Sequence, residues 1–178
     1  MNSAQPFDMS TQMNQQPAEE IYEVCWRGPF SPEAIATLTS EQLEKFVLYS
    51  VYGAHPTYGN NVLLYIGMTE RGVIRRLAEH GYEMDLERFN DSQVYLASIG
   101  QFLSWDDSSE KEIFERPDRH LVERIESLLI YAHQPYGNSR NKHSANRAAG
   151  LRIFNTERHA SLHPEVSALY ENIMHSPD

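Results

Sequence analysis

The chain has one cysteine, Cys25, among its 178 residues. A lone cysteine excludes an intramolecular disulfide framework and a cysteine-rich zinc site, and an idle or buried thiol is its ordinary reading. No apolar run approaches the roughly 20 residues that a membrane-spanning helix needs. The polar N-terminus has no basic segment followed by an apolar one, so it does not read as a signal peptide; the expectation is a cytoplasmic protein with no membrane partner. Positive charge is scarce: 15 Lys and Arg stand against 25 Asp and Glu, a formal net charge of -10. Strong non-specific affinity for DNA is not what that balance predicts. The scarcity is uneven, however. Residues 1–46 carry Arg27 and Lys45 as their only basic side chains, whereas Arg71, Arg75, Arg76, Arg140, Lys142, Arg147, Arg152 and Arg158 collect later. A local basic site on an acidic protein is therefore compatible with the composition.

Residues 1–18 are rich in Gln, Asn, Ser and Met. Such a segment buries too little apolar surface to offset its ordering entropy and reads as a flexible tail. Residues 19–45 form an N-terminal extension. It holds a short strand ending near Gly28-Pro29 and a helix start at Ser31-Pro32-Glu33, with Ser at the N-cap, Pro at the first helical position and an acid in the first turn. A second helix start follows at Thr39-Ser40-Glu41. Residues 46–52 and 62–67 read as two strands of an antiparallel hairpin joined by a long loop over 53–61, which is dense in turn formers. A helix fits 72–81, a third strand fits 92–99, and a strong helix fits 118–134, where Leu121, Val122, Ile125, Leu128, Leu129 and Ala132 follow the helical period and Pro135 stops it. Residues 136–160 read as a basic, loop-like stretch in which Leu151–Asn155 is a candidate added strand, and 164–174 as a last short helix. The fold expected from this order is α/β (α+β): a three-stranded antiparallel sheet flanked by helices over 46–145, with extensions at 19–45 and 146–178.

Several side chains could carry chemistry. Tyr49 and Tyr65 sit in the paired strands, where tyrosines ordinarily pack and let the hydroxyl reach water. Arg76 and His80 lie four apart and share one face of the expected helix; together they could grip a phosphate or simply be a solvated helix surface, the preferred reading for the adjacent Arg75. Glu126 borders the apolar stripe of the strongest helix. It is either a surface residue leaning outward or a hard oxygen ligand of the kind Mg²⁺ takes.

The order of these features is more specific than any one of them. The run LYSVYG, then LLYIGMTERGVIRRLAEH, then ERIESLLIYAHQPYGN resembles the GIY-YIG nuclease family. Val47-Leu48-Tyr49 stands where that family has its first triplet, with Val in place of Gly, and Tyr65-Ile66-Gly67 is the second triplet. Arg76 followed by His80 is similar to the family's helix segment; an extra residue after the second triplet leaves Arg75 a rival for the arginine. Glu126, followed by Pro135 and Asn138, looks like the family's glutamate helix and the Pro-x-x-Asn after it. The resemblance implies a GIY-YIG-type endonuclease that hydrolyses DNA phosphodiester bonds with one Mg²⁺ or Mn²⁺ held by Glu126. Arg76 would oppose charge growing on the phosphate. Tyr49 is favoured as the base and Tyr65 as the phosphate contact, with His80 as a hydrogen-bonding partner. Arg75, Asn138, Arg140 and Lys142 are the expected nucleic-acid contacts; for Arg140 and Lys142 a solvated basic loop is an equal alternative, and Asn138 could instead secure the end of the Glu126 helix. DNA is the expected partner, and a homodimer is the expected assembly for a restriction-type enzyme cutting two strands. Two other readings stand beside this one: a GIY-YIG-like fold that binds nucleic acid or protein without cutting, and an unrelated α/β domain in which Tyr49, Tyr65 and Glu126 only pack.

Overall fold

A computed structural model describes residues 19–69, 91–106, 112–144 and 146–170. Its centre is one wide sheet. The strands are β1 (Glu20–Phe30), β2 (Leu48–His55), β3 (Gly59–Met68), β4 (Gln93–Gln101), β5 (Glu112–Ile113), β6 (Leu151–Glu157) and β7 (Glu165–Ser167). Six of them run in the order β3-β2-β4-β1-β6-β7, with the short β5 beside β4. Neighbours are antiparallel except β1 and β6, which run parallel from Glu20↔Leu151 to Trp26↔Glu157.

The expectation of a three-stranded sheet flanked by helices is thus overturned. The three expected strands are present as β3-β2-β4, but the two segments set aside as extensions widen the sheet. Residues 19–30 form β1, a long interior strand rather than a short appendage. Its alternation sends Val24 and Trp26 into the core, while Glu23 and Cys25 point the other way; that polar interleaving hides its central position. Glu23 is buried because Thr156 Oγ1 (2.6 Å) and Cys25 Sγ (3.2 Å) donate to its carboxylate, so Cys25 is a buried thiol in a packed polar cluster. The C-terminal extension supplies β6, over the candidate added strand at Leu151–Asn155, and β7, where the start of a helix was expected. Asn155 fixes that region: its Oδ1 accepts from Trp26 Nε1 (2.8 Å) and its Nδ2 donates to His163 O (2.7 Å).

Both faces of the central strands are covered, which makes them nearly continuously apolar. On β4, Tyr95, Ala97 and Ile99 face one side and Val94 and Leu96 the other. The first side packs against the helix α3 (Arg119–His133), whose Val122, Ile125, Leu128 and Leu129 form its buried stripe. Asp118 caps its start through Leu121 N, and Gln134 ends it in the left-handed conformation just before Pro135. The second side is covered by two short helices, α1 (Pro32–Ala36) and α2 (Ser40–Leu43), through Ile35 and Leu43. Their caps are those anticipated: Ser31 Oγ accepts from Ala34 N, and Thr39 forms a capping box with Gln42. The helix expected over 72–81 lies outside the described residues. Among the described residues, no helix is long and apolar enough to cross a membrane.

Candidate active site at the open edge of the sheet

Among the described residues strand β3 ends the sheet, so one row of its backbone groups has no neighbouring strand there. An open edge must be blunted or covered, and here two distant segments do this with side chains and loop backbone. Asn138 is buried and lies against Ile66 like a strand residue: its Oδ1 accepts from Ile66 N (3.0 Å) and its Nδ2 donates to Ile66 O (2.8 Å). Gly137 N donates to Leu64 O (2.7 Å) and Tyr136 N to Leu63 O (3.3 Å). A Cβ on Gly137 would lie 3.0 Å from Leu64 O, so a side chain would crowd this approach. One step further along β3, Met68 N donates to Glu126 Oε1 (2.9 Å). The strand therefore receives Pro135–Asn138 and the Glu126 carboxylate in sequence along one edge.

The two tyrosines lie on the face covered by α1 and α2. Tyr49 is opposite Gly67 in the β2–β3 register, and Tyr65 stands two residues from Gly67 on the same face. Their rings stack with centroids 6.0 Å apart and planes 23° apart. Gly67 makes that stack fit: a Cβ there would lie 2.7 Å from Tyr49 Cζ, Tyr49 Oη and Tyr65 Cε1. The glycine of the second triplet is therefore required by packing between two rings. Tyr49 is fully buried (0% exposed), whereas Tyr65 is half-buried. Glu126 is also half-buried and comes from α3, which covers the opposite face; it reaches the tyrosine strand by way of the open edge.

Of the residues singled out in the sequence, Tyr49, Tyr65, Glu126 and Asn138 thus converge on β3. Asn138, expected among the nucleic-acid contacts, spends both amide groups on Ile66 and acts by docking the loop. Arg140 is exposed in the loop that follows, and Lys142 reaches back to Tyr136 O through Nζ (3.5 Å). Arg75, Arg76 and His80 lie outside the described residues. Sequence reasoning passed over three neighbours of this edge, His55, Tyr58 and Tyr136. The 53–61 segment, expected as a long loop, is in fact mostly strand with a turn at Pro56-Thr57-Tyr58. His55 Nδ1 accepts from both Thr57 N (3.1 Å) and Tyr58 N (3.2 Å), so a side chain makes the bonds that tighten the turn. A histidine immediately ahead of a Pro-Thr-Tyr turn was the available signal.

No group of three or more His, Cys, Asp or Glu able to hold a metal occurs among the described residues. A site resting on Glu126 would thus be of the one-carboxylate kind. Its donor chemistry fits Mg²⁺, which keeps several waters and takes only one or two carboxylates, and the Met68 amide fixes the carboxylate's orientation. Comparison with protein-family models, curated proteins and solved structures returned no match to this chain.

Proposed function

We propose that this chain is a metal-dependent endonuclease that hydrolyses DNA phosphodiester bonds through a GIY-YIG-type site on the open edge of β3. One observation carries the reading. Glu126 and the Pro135–Asn138 segment are 58 and 72 residues from their partners Met68 and Ile66, yet dock side by side on the strand that carries Tyr65-Ile66-Gly67. Three of the four sequence blocks that make up the resemblance meet here: Tyr65-Ile66-Gly67, the Glu126 to Asn138 block docked on its edge, and the first triplet, whose Tyr49 stacks on Tyr65.

Glu126 would hold one Mg²⁺ or Mn²⁺, which supplies charge neutralisation at the phosphate and at the departing oxygen. The chain's own groups divide the remaining work. The half-buried Tyr65 would orient the attacking water, the role first expected of Tyr49. Tyr49, fully enclosed, supports the Tyr65 ring from below rather than meeting substrate. Neither hydroxyl is an effective base at neutral pH with an ordinary value near 10, so positioning of the water is the larger contribution. Arg76 would bind a non-bridging phosphate oxygen, with Arg75 its rival by one position, and His80 would assist a tyrosine hydroxyl. Arg140 would track the DNA backbone.

The test is incubation of the purified chain with supercoiled plasmid in Mg²⁺, Mn²⁺ or EDTA. Nicking or linearisation with metal and none in EDTA is expected. Glu126→Ala and Glu126→Gln should both lose at least about 10³-fold in rate, since a carboxylate–metal contact contributes several kcal/mol of transition-state stabilisation. Gln keeps an acceptor for Met68 N, which separates lost chemistry from a loosened strand edge. Wild-type cutting by Glu126→Gln would show the site to be misassigned. A second reading, binding without cutting, is favoured by the net charge of -10 and by the commitment of Glu126 Oε1 to Met68; retained DNA binding with no cleavage in either metal would select it.

A further inference from the structure

We infer that the hairpin tip beside this site is a stacking platform for unpaired DNA bases, formed by Tyr58 and Tyr136, both packed on His55. The inference rests on the nuclease reading for its occupant. Tyr58 and Tyr136 are among the few large apolar side chains left in water, 71% and 63% exposed, while His55 is 9% exposed. Tyr58 stacks on the imidazole (4.7 Å, 28°) and Tyr136 meets it edge-on (4.2 Å, 68°). The imidazole cannot turn freely, because its Nδ1 holds two backbone amides of the turn. Tyr136 is anchored by its own amide on Leu63. Two exposed rings are thus held in fixed poses by a buried one, which lowers the ordering cost of presenting their faces to a flat ligand.

Charge selects the occupant. Phe46 to Thr69 contains no Asp, Glu, Lys or Arg, and Ser127 to Thr156 contains no Asp or Glu but includes Arg140, Lys142 and Arg147. On a chain of net charge -10, the hairpin and the loop docked on it contribute no acid of their own, and the Glu126 carboxylate meets the hairpin at Met68, at the end of β3 away from the tip. Lys142 Nζ lies 3.5 Å from the backbone carbonyl oxygen of Tyr136, at the base of one of the two aromatic side chains. Exposed aromatic rings on segments that carry cations but no acids match a nucleic-acid strand, with bases on the rings and phosphates on Lys142 and Arg140. A duplex keeps its bases stacked on each other and offers no face to a ring, so the strand must be single or locally opened. From Leu63, where Tyr136 docks, to Met68, where Glu126 docks, is five residues of β3. At the usual strand rise that is roughly 17 Å, about five stacked nucleotides. The substrate class is accordingly DNA with an unpaired segment a few nucleotides from the cleaved bond.

The test uses the full chain in EDTA, where cutting is blocked, and fluorescence anisotropy with a labelled pyrimidine-rich single strand and with its duplex. The wild type should bind the single strand more tightly than the duplex. Tyr58→Ala and Tyr136→Ala should each weaken single-strand binding by roughly 5- to 150-fold and duplex binding by no more than about twofold, while Tyr58→Phe and Tyr136→Phe stay within about twofold of wild type. Equal losses on both DNAs, an undiminished single-strand affinity, or no single-strand preference in the wild type would overturn the platform; circular dichroism verifies that the variants are folded. The two proposals fail separately. Selective loss of single-strand binding without plasmid cleavage sinks the nuclease and keeps the platform, and metal-dependent cleavage with unchanged single-strand binding in the Ala variants does the reverse.

Discussion

At the β7 end of the sheet charged side chains are used in pairs; at the β3 end the hairpin Phe46–Thr69 has no charged side chain of its own and its edge is sealed with an amide and one carboxylate. Arg152 on β6 sits between Glu19 (2.8 Å) and Glu165 (2.9 Å), and Arg124 on α3 holds Glu20 (2.9 Å). Glu19 also accepts from Ser167 (2.6 Å). Burial alone would raise the Glu19 carboxyl, but the hydrogen bonds from Ser167 and Arg152 outweigh it and hold the group below the ordinary carboxylate range. Both ends face the same physical problem, an edge strand with unpaired backbone groups. One end solves it with a three-residue strand and satisfied ion pairs, a structural solution with its charges already neutralised. The other uses Asn138 and Glu126, and brings a carboxylate, two tyrosines and a cation-bearing loop to one strand. A sheet edge closed by side chains is a place where closing the fold and assembling a site become the same event.

Breaking that difference gives a graded set of outcomes. The largest is expected from Asn138→Ala, which strips both partners from Ile66 N and O at the β3 edge. Two groups at about 1–3 kcal/mol each predict a loss on the order of 4 kcal/mol in urea unfolding. On the nuclease proposal it should lower cleavage as well, because the Pro135–Asn138 docking is lost. A change near 0.5 kcal/mol would mean that water replaces the amide easily and the edge is less closed than its geometry implies.

Next is acid. His133, at the end of α3, is neutral in the fold. Its Nε2 accepts from His163 N (2.8 Å), so Nδ1 carries the proton toward Leu129 O (2.9 Å). Burial, with smaller repulsion from His163 and His159, pushes it down from 6.5 to about 4. A depressed histidine contributes its full stability above about 6.5 and loses it as pH falls toward about 4, a change on the order of 3 kcal/mol. The unfolding free energy of the wild type should therefore drop between pH 7 and 5, and that slope should flatten in His133→Gln. An unchanged slope would place the acid sensitivity elsewhere.

Gly67→Ala comes third. Its Cβ would meet Tyr49 and Tyr65 at 2.7 Å with Tyr49 fully enclosed, and overpacking of that kind costs about 1–3 kcal/mol. The thermal midpoint should fall and the tyrosine near-UV signal should change; an unaltered signal would mean that the rings are not locked. The smallest effect is expected from Arg152→Ala at the opposite end. Its carboxylate partners are partly solvated, so the cost should be about 1 kcal/mol and should shrink in high salt. A larger, salt-independent loss would make the β7 end as dependent on its side chains as the β3 end.

How far the molecule could be read from its sequence follows from the range of each signal. The two tyrosine strands, the β4 strand, the helix bearing Glu126, its stop at Pro135 and the caps at Ser31 and Thr39 are all local patterns, and each is found where expected. The width of the sheet was not legible. The pairing of β1 with β6 joins residues more than a hundred positions apart, and its strands mix Glu23, Asn155 and Thr156 with apolar residues because Thr156 donates to Glu23 and Asn155 accepts from Trp26 across the pair. The three residues of β7 are too few to show a period. At the site, the residue types of Tyr49, Tyr65 and Glu126 and their order were legible. That Tyr49 is enclosed while Tyr65 is half-exposed, that Asn138 serves Ile66, and that His55 carries Tyr58 and Tyr136 came from packing alone.

The sequence by itself determined which residues form strands and helices, where the helices begin, and which side chains are available for chemistry, because each depends on neighbours a few positions away. Tertiary structure alone decided the strand order, the edge on which Glu126 and Asn138 meet, and which tyrosine faces solvent. Those depend on unpaired backbone groups finding partners and on rings filling space, and such partners are chosen across the whole chain.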